Sequence, residues 1–132
     1  MTEDSPAAEG SLVLIVDDSP INLKLAGDVL RTAGFRTLEA ATASEAIALA
    51  DAQRPDLILM DVRLPDMSGV DAAKALGREE RTARIPVVAL SALAVDDDAD
   101  WRRAGFAGHI AKPISVGEFP EQVRSYCVRV ER

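Results

Sequence analysis

The chain has 132 residues, of which 48% are hydrophobic and 28% charged, and its formal net charge is −7. That is the size and balance of one globular domain with a full core. The acidity excludes a surface built to replace the counterions of nucleic acid or to lie on an anionic membrane. No apolar run is long enough to cross a bilayer, and the opening MTEDSPAAEGS lacks the basic and apolar parts of a signal peptide, so a cytoplasmic location is expected.

Residues 1–10 read as a disordered leader ahead of a single domain spanning 11–132. The first strand is LVLIV, Leu12–Val16. Ser19-Pro20 opens a helix, since serine caps well and proline is tolerated at the first helical position. Ile21, Leu25 and Val29 share one face of it at i, i+4, i+8, and Gly34 is a plausible stop. A short second strand, about Arg36–Glu39, suits a sheet edge. Thr42 or Ser44 caps a helix carrying Ala46, Ile47, Leu49 and Ala50. After Pro55 come a third strand, Leu57–Met60, the loop from Asp61 to Gly69, and a helix from Ser68-Gly69 to about Leu76.

Arg78–Arg84 is charged and reads as a surface connection. Ile85–Leu90 is a fourth strand. A fourth helix is expected over about Val95–Ala104, with an acidic front at Asp96, Asp97, Asp98 and Asp100 that reads as a solvated face or a contact for a basic partner. Trp101 on this helix is expected to be partly buried. A fifth strand, about Gly108–Ala111, leads to Lys112-Pro113. Phe119, Val123, Tyr126 and Val130 then share a helical face. Pro120 would break a helix interior, so the last helix should begin near Glu118 or Phe119, or be kinked. Cys127, the sole cysteine, leaves no intramolecular disulfide and reads as a small buried residue of that helix.

Short apolar runs alternating with helices predict an α/β fold: (βα)5, a doubly wound, five-stranded parallel sheet of flavodoxin-like order 2-1-3-4-5. Five residues then fall at carboxyl ends of strands, where open parallel sheets bind ligands. They are Asp17, Asp18, Asp61, Ser91 and Lys112. Carboxylates, a hydroxyl and an ammonium together suit Mg²⁺ and a phosphoryl group. Mg²⁺ favours an oxygen shell and keeps several waters. Asp18 is the candidate direct ligand and Asp17 the outer one; Asp61 supplies a third oxygen and the backbone carbonyl of Arg63 a fourth. A carboxylate can accept a phosphoryl group as an acyl phosphate, and Asp61 is the candidate. Phosphoryl transfer needs positioning and charge neutralisation, which Lys112 supplies as a point charge and Ser91 as a hydrogen-bond donor.

The segments LIVDDSPIN, PDLILMDVRLPDMSG, IPVVALSA and GHIAKPIS closely resemble the motifs of response-regulator receiver domains, the CheY-like superfamily, from about Leu12 to Val128. The resemblance implies phosphorylation of Asp61 by a sensor histidine kinase or a His-containing phosphotransfer protein. It implies Mg²⁺ held by Asp17, Asp18 and Asp61, phosphoryl sensing by Ser91 and Lys112, and a cis peptide before Pro113. It further implies a stand-alone receiver, without an output domain, that answers to a downstream protein target. The motifs are closest to single-domain cell-cycle regulators and to receivers in hybrid kinases.

This chain departs from the family at His109, where Tyr or Phe is usual in the fifth strand and swings inward on activation. Histidine titrates near neutral pH, so this switch position is either a polar stand-in or a pH-sensitive one. The resemblance implies that Arg63 and Leu93, two positions after Asp61 and Ser91, flank the path of a water attacking the phosphoryl group. Three other readings compete. An aspartyl-phosphate phosphatase of the haloacid-dehalogenase type would need an Asp-x-Asp pair, which Asp61-Val62-Arg63 lacks. A nucleotide or flavin binder would place glycines where Asp17-Asp18-Ser19-Pro20 stands. A receiver-like scaffold could work without phosphorylation.

Overall fold

Three of the five strands have a buried apolar centre facing both ways, and this dictates helices on both sides of the sheet. The computed structural model describes residues 10–92 and 98–130, without the side chains of 98–100 and 128–130. In chain order the elements are β1 (Leu12–Val16), α1 (Pro20–Thr32), β2 (Arg36–Ala40), α2 (Ala43–Gln53), β3 (Leu57–Asp61), α3 (Gly69–Arg78), β4 (Val87–Ser91), α4 (Asp98–Arg103), β5 (Gly108–Ala111) and α5 (Phe119–Val130). The strands form one parallel sheet in the order β2-β1-β3-β4-β5. The expected α/β architecture and strand order are those of the molecule.

Strand alternation sorts the core into two halves. Val13, Ile15, Leu57, Leu59, Val88, Leu90 and Ile110 face α1 and α5, meeting Ala26, Leu30, Phe119, Val123 and Cys127. Leu14, Val16, Ile58, Met60, Val87 and Ala89 face α2, α3 and α4, meeting Ala43, Ala46, Ala50, Ala72, Ala73, Leu76 and Trp101. The run of alanines lets α2 and α3 lie close to the sheet. Gly10 donates its N–H to the Gly34 carbonyl (2.9 Å), and the residues before it lie outside the described residues.

Helix ends follow local chemistry. The Ser19 hydroxyl accepts from the Asn22 amide, with Pro20 first in α1. Thr42 caps α2 through the Glu45 amide, and Ser68 caps α3 through the Asp71 amide. Gly34, at φ +102°, takes the left-handed turn after α1. Pro120 sits second in α5, where its missing N–H costs nothing and no kink is needed.

The structure corrects several expectations. Ile21 (79% exposed) and Leu25 (40%) lie away from the core, because α1 presents its small residues Ala26 and Gly27 with Leu30 to the sheet and packs closer that way. β4 starts at Val87, since Pro86 has no N–H for the ladder and Ile85 is held in a turn by the Thr82 carbonyl. The 78–84 connection is not wholly superficial: Thr82 is buried and its hydroxyl donates to the Leu76 carbonyl at 2.7 Å, closing the end of α3. β2, β3 and α3 run slightly past their expected ends. Trp101 is fully buried, beyond the partial burial expected. The acidic front of α4 and Leu93 lie outside the described residues and side chains.

Burial, with Asp56 nearby, pushes the Cys127 thiol from 9.0 up to about 11. A folded pKa above the unfolded one leaves stability intact below pH 9.0 and loses it as pH rises through about 11. Native Cys127 should therefore resist a thiol reagent at pH 8 that labels the urea-unfolded chain at once. Denaturant titrations should show stability falling by on the order of 2 kcal/mol more in the parent than in Cys127→Ala between pH 8 and 11.

Candidate functional site

The backbone ladder continues past the strand ends and carries the polar residues with it. The Asp17 N–H donates to the Ala40 carbonyl (3.1 Å), Val62 N–H to Leu90 (3.3 Å) and Lys112 N–H to Ser91 (2.9 Å). Asp17 follows β1, Asp61 and Ser91 close β3 and β4, and Lys112 follows β5. The rim between β1 and β3 is where the strand order reverses, the usual ligand crevice of an open parallel sheet.

Asp17 is 2% exposed, and its carboxylate is held from three directions. Oδ1 accepts from the Ser19 amide at 2.9 Å. Oδ2 accepts from Asn22 Nδ2 at 3.2 Å and meets Lys112 Nζ at 3.1 Å. Asp61, 8% exposed, accepts from the Arg63 amide on Oδ1 at 3.1 Å and from Lys112 Nζ on Oδ2 at 3.2 Å. Asp18 is exposed and completes a group of three carboxylates whose nearest oxygens lie within 4.8 Å of one another. A cleft of about 380 Å³ opens beside them, lined by Asp18, Asp61, Arg63, Ser91 and Lys112. The Lys112–Pro113 peptide is cis.

Lys112 reaches Asp61 from β5, with β4 between them. Two strand spacings amount to roughly 10 Å, a gap that calls for a long side chain. Burial lifts the Asp61 carboxyl above its ordinary 3.8, and nearby Asp17 adds to this; the Arg63 amide and Lys112 oppose it without cancelling it. Burial works against the Lys112 ammonium, but hydrogen bonds to Asp17 and Asp61 prevail and raise its pKa above 10.5. Three carboxylates facing one ammonium leave an excess of two negative charges, the charge of one divalent cation. An all-oxygen donor set, part buried and part open, fits a hard ion such as Mg²⁺.

The family model described as the response regulator receiver domain matches residues 13–124. The chain belongs to the response-regulator receiver family. It is similar to the polar-differentiation response regulator DivK of Brucella anthropi, 41% identical over 115 residues that cover 86% of this chain and 94% of that protein. Among solved structures, it resembles the receiver domain of the sensor histidine kinase PA1611 from Pseudomonas aeruginosa PAO1, which has a magnesium ion coordinated in its active-site cleft. The TM-score is 0.80 at 33% identity, covering 89% of this chain and 98% of that one. The chemotaxis response regulator CheY4 of Vibrio cholerae gives 0.82 at 26% identity, covering 88% and 98%. Receivers are signalling domains that carry a phosphoryl group on an aspartate and bind Mg²⁺ in an acidic pocket. Among the described residues, no helix of this receiver is long and apolar enough to cross a membrane.

Of the residues singled out in the sequence, Asp17, Asp18, Asp61, Arg63, Ser91 and Lys112 meet at this rim. His109 does not; it lies one element away, stacked on Trp101 of α4 at 5.5 Å between centroids and 20° between planes. Sequence reasoning missed Asn22, which braces Asp17. Its placement one turn into a helix capped by Ser19 was the available signal. It also missed Asp66, whose role depends on a contact 22 and 23 residues away.

A carboxyl whose folded pKa is raised contributes stability below pH 3.8 that is lost as pH rises through the raised value. Without added metal at pH 7, Asp61→Asn should melt above the parent. The gap should close as the pH is lowered towards 4, which calorimetric melts across that range would read.

Proposed function

We propose that this receiver accepts a phosphoryl group on Asp61 in a two-component or phosphorelay pathway and passes the signal through a protein–protein contact. One observation carries the reading: Asp17, Asp18 and Asp61 converge within 4.8 Å, and Lys112 bonds to two of them. Asp18, exposed, would ligate Mg²⁺ directly. Asp17, both of whose oxygens already accept hydrogen bonds, would serve it through water. Asp61 and the Arg63 carbonyl would complete the protein's share. The bound ion supplies positive charge to the phosphoryl oxygens.

The remaining chemistry belongs to the chain. An Asp61 oxygen attacks phosphorus, a P–O bond forms, and the bond to the donor breaks. With a phosphohistidine donor, the imidazole leaves with the P–N electron pair. Lys112 turns from the carboxylates to a phosphoryl oxygen, and Ser91, buried at the end of β4, donates its hydroxyl to another. Water attack on phosphorus later returns inorganic phosphate and the free carboxylate. The upstream partner is a sensor histidine kinase or a His-containing phosphotransfer protein. The motif resemblance supports a target of the cell-cycle type, and the similar Brucella protein is a polar-differentiation response regulator.

His109 is the proposed switch. Ser91 drawn toward the phosphoryl group opens space for the imidazole to turn inward. That motion would break the stack on Trp101 and loosen α4, changing the face formed by α4, β5 and α5. Phosphorylation so shifts an existing equilibrium between two packings.

Intact-protein mass spectrometry after incubation with acetyl phosphate and Mg²⁺ tests the proposal. One added phosphoryl group is expected in the parent, and none in Asp61→Asn or without Mg²⁺. An adduct on Asp61→Asn would refute the acceptor assignment.

A further inference from the structure

The loop from Val62 to Ser68 carries both the amide that holds Asp61 and the carbonyl proposed as a metal ligand. Its base is closed: Gly69 N–H donates to the Val62 carbonyl at 2.7 Å, and Arg63 pairs with Ser68 as an isolated antiparallel bridge. Gly69 cannot be replaced without disturbance, since a Cβ there would press on the Asp61 carbonyl oxygen and come within 2.9 Å of the Val62 Cα. Its tip is exposed at Pro65 and Asp66, between the partly buried Leu64 and Met67.

Asp66 ties that tip down. Its Oδ1 accepts from the Ala43 amide and its Oδ2 from the Ser44 amide, each at 2.9 Å. These are the first two amides of α2, and the pair holds the Asp66 carboxyl below its ordinary 3.8. α2 also has a local cap: Thr42 Oγ1 accepts from Glu45 N–H, and Glu45 Oε1 accepts from the N–H of Ala41, just before the cap, at 2.9 Å. The local cap satisfies the Glu45 amide and leaves those of Ala43 and Ser44 to Asp66, so the clamp serves both the helix end and the loop, which has no other charged anchor among the bonds described.

We propose that Asp66 is a positioning residue for the phosphoryl site: by clamping the β3–α3 loop to the N-terminus of α2, it sets where the Arg63 backbone meets Asp61 and the cation. This rests on the phosphoacceptor reading above. The cost of losing Asp66 falls on metal affinity, because a freed loop must be ordered each time the ion binds.

The test is isothermal titration of the full chain with MgCl₂, alongside calorimetric melts, for the parent, Asp66→Ala, Asp66→Asn and Thr42→Ala. Thr42→Ala removes a cap from the same helix and leaves the clamp intact. Both alanine variants should lose thermal stability. Only Asp66→Ala should raise the Mg²⁺ dissociation constant, by about tenfold, as removal of an outer support of a metal site does. Asp66→Asn, which keeps one acceptor oxygen, should fall between, and it serves as the variant read if Asp66→Ala fails to fold. Parental Mg²⁺ affinity in the Asp66 variants would overturn the inference alone, as would an equal weakening in Thr42→Ala. Absence of Mg²⁺ binding in the parent would overturn the phosphoacceptor reading and this inference with it.

Discussion

Three carboxylates crowd one end of the sheet, two of them buried, and the rest of the molecule is arranged around that repulsion. In a medium less polar than water, like charges at such distances resist ionising together. Among the described residues, the cation that meets them is Lys112, bonded to Asp17 and Asp61 at once. These carboxylates are therefore already part-neutralised before any ion arrives. Under the proposed function, metal binding would be an exchange: the ion would displace part of what Lys112 provides, and the released ammonium would become available to an incoming phosphoryl group.

Such an exchange depends on strand ends that do not wander. β3 is buried along its whole length and pairs with β1 on one side and β4 on the other. The two half-cores grip it from both faces, and close-packed interiors are hard to compress. The ladder continues one step beyond β1, β3 and β5 through the amides of Asp17, Val62 and Lys112, so the backbone that aims the polar side chains is itself part of the sheet. Asp61 sits at the end of a strand buried along its whole length, while Asp18 and the loop after Asp61 lie where solvent can reach.

Much of this was legible from the residue order. LILM before Asp61, VVAL before Ser91 and HIA before Lys112 each announce a strand with a polar residue at its carboxyl end, and parallel order brings those ends together. Capping chemistry at Ser19, Thr42 and Ser68 was equally local. What escaped was set by choices between equivalents or by distant contacts. α1 offers more than one apolar stripe, and its small residues, not Ile21 and Leu25, decided which faced the sheet. Thr82 looked superficial within a charged run because its acceptor, the Leu76 carbonyl, lies across a turn. Asp66 resembled any exposed loop acid until α2 arrived beside it.

The stack of Trp101 on His109 joins α4 to β5, with Phe106 edge-on to the same indole at 5.6 Å. The buried indole Nε1 finds no acceptor among the described residues, so the ring is held by shape and by its aromatic neighbours alone. It is also the sole tryptophan of the chain. Its emission is therefore a direct reporter of the stack on His109, so any movement of that imidazole would be read from the one indole.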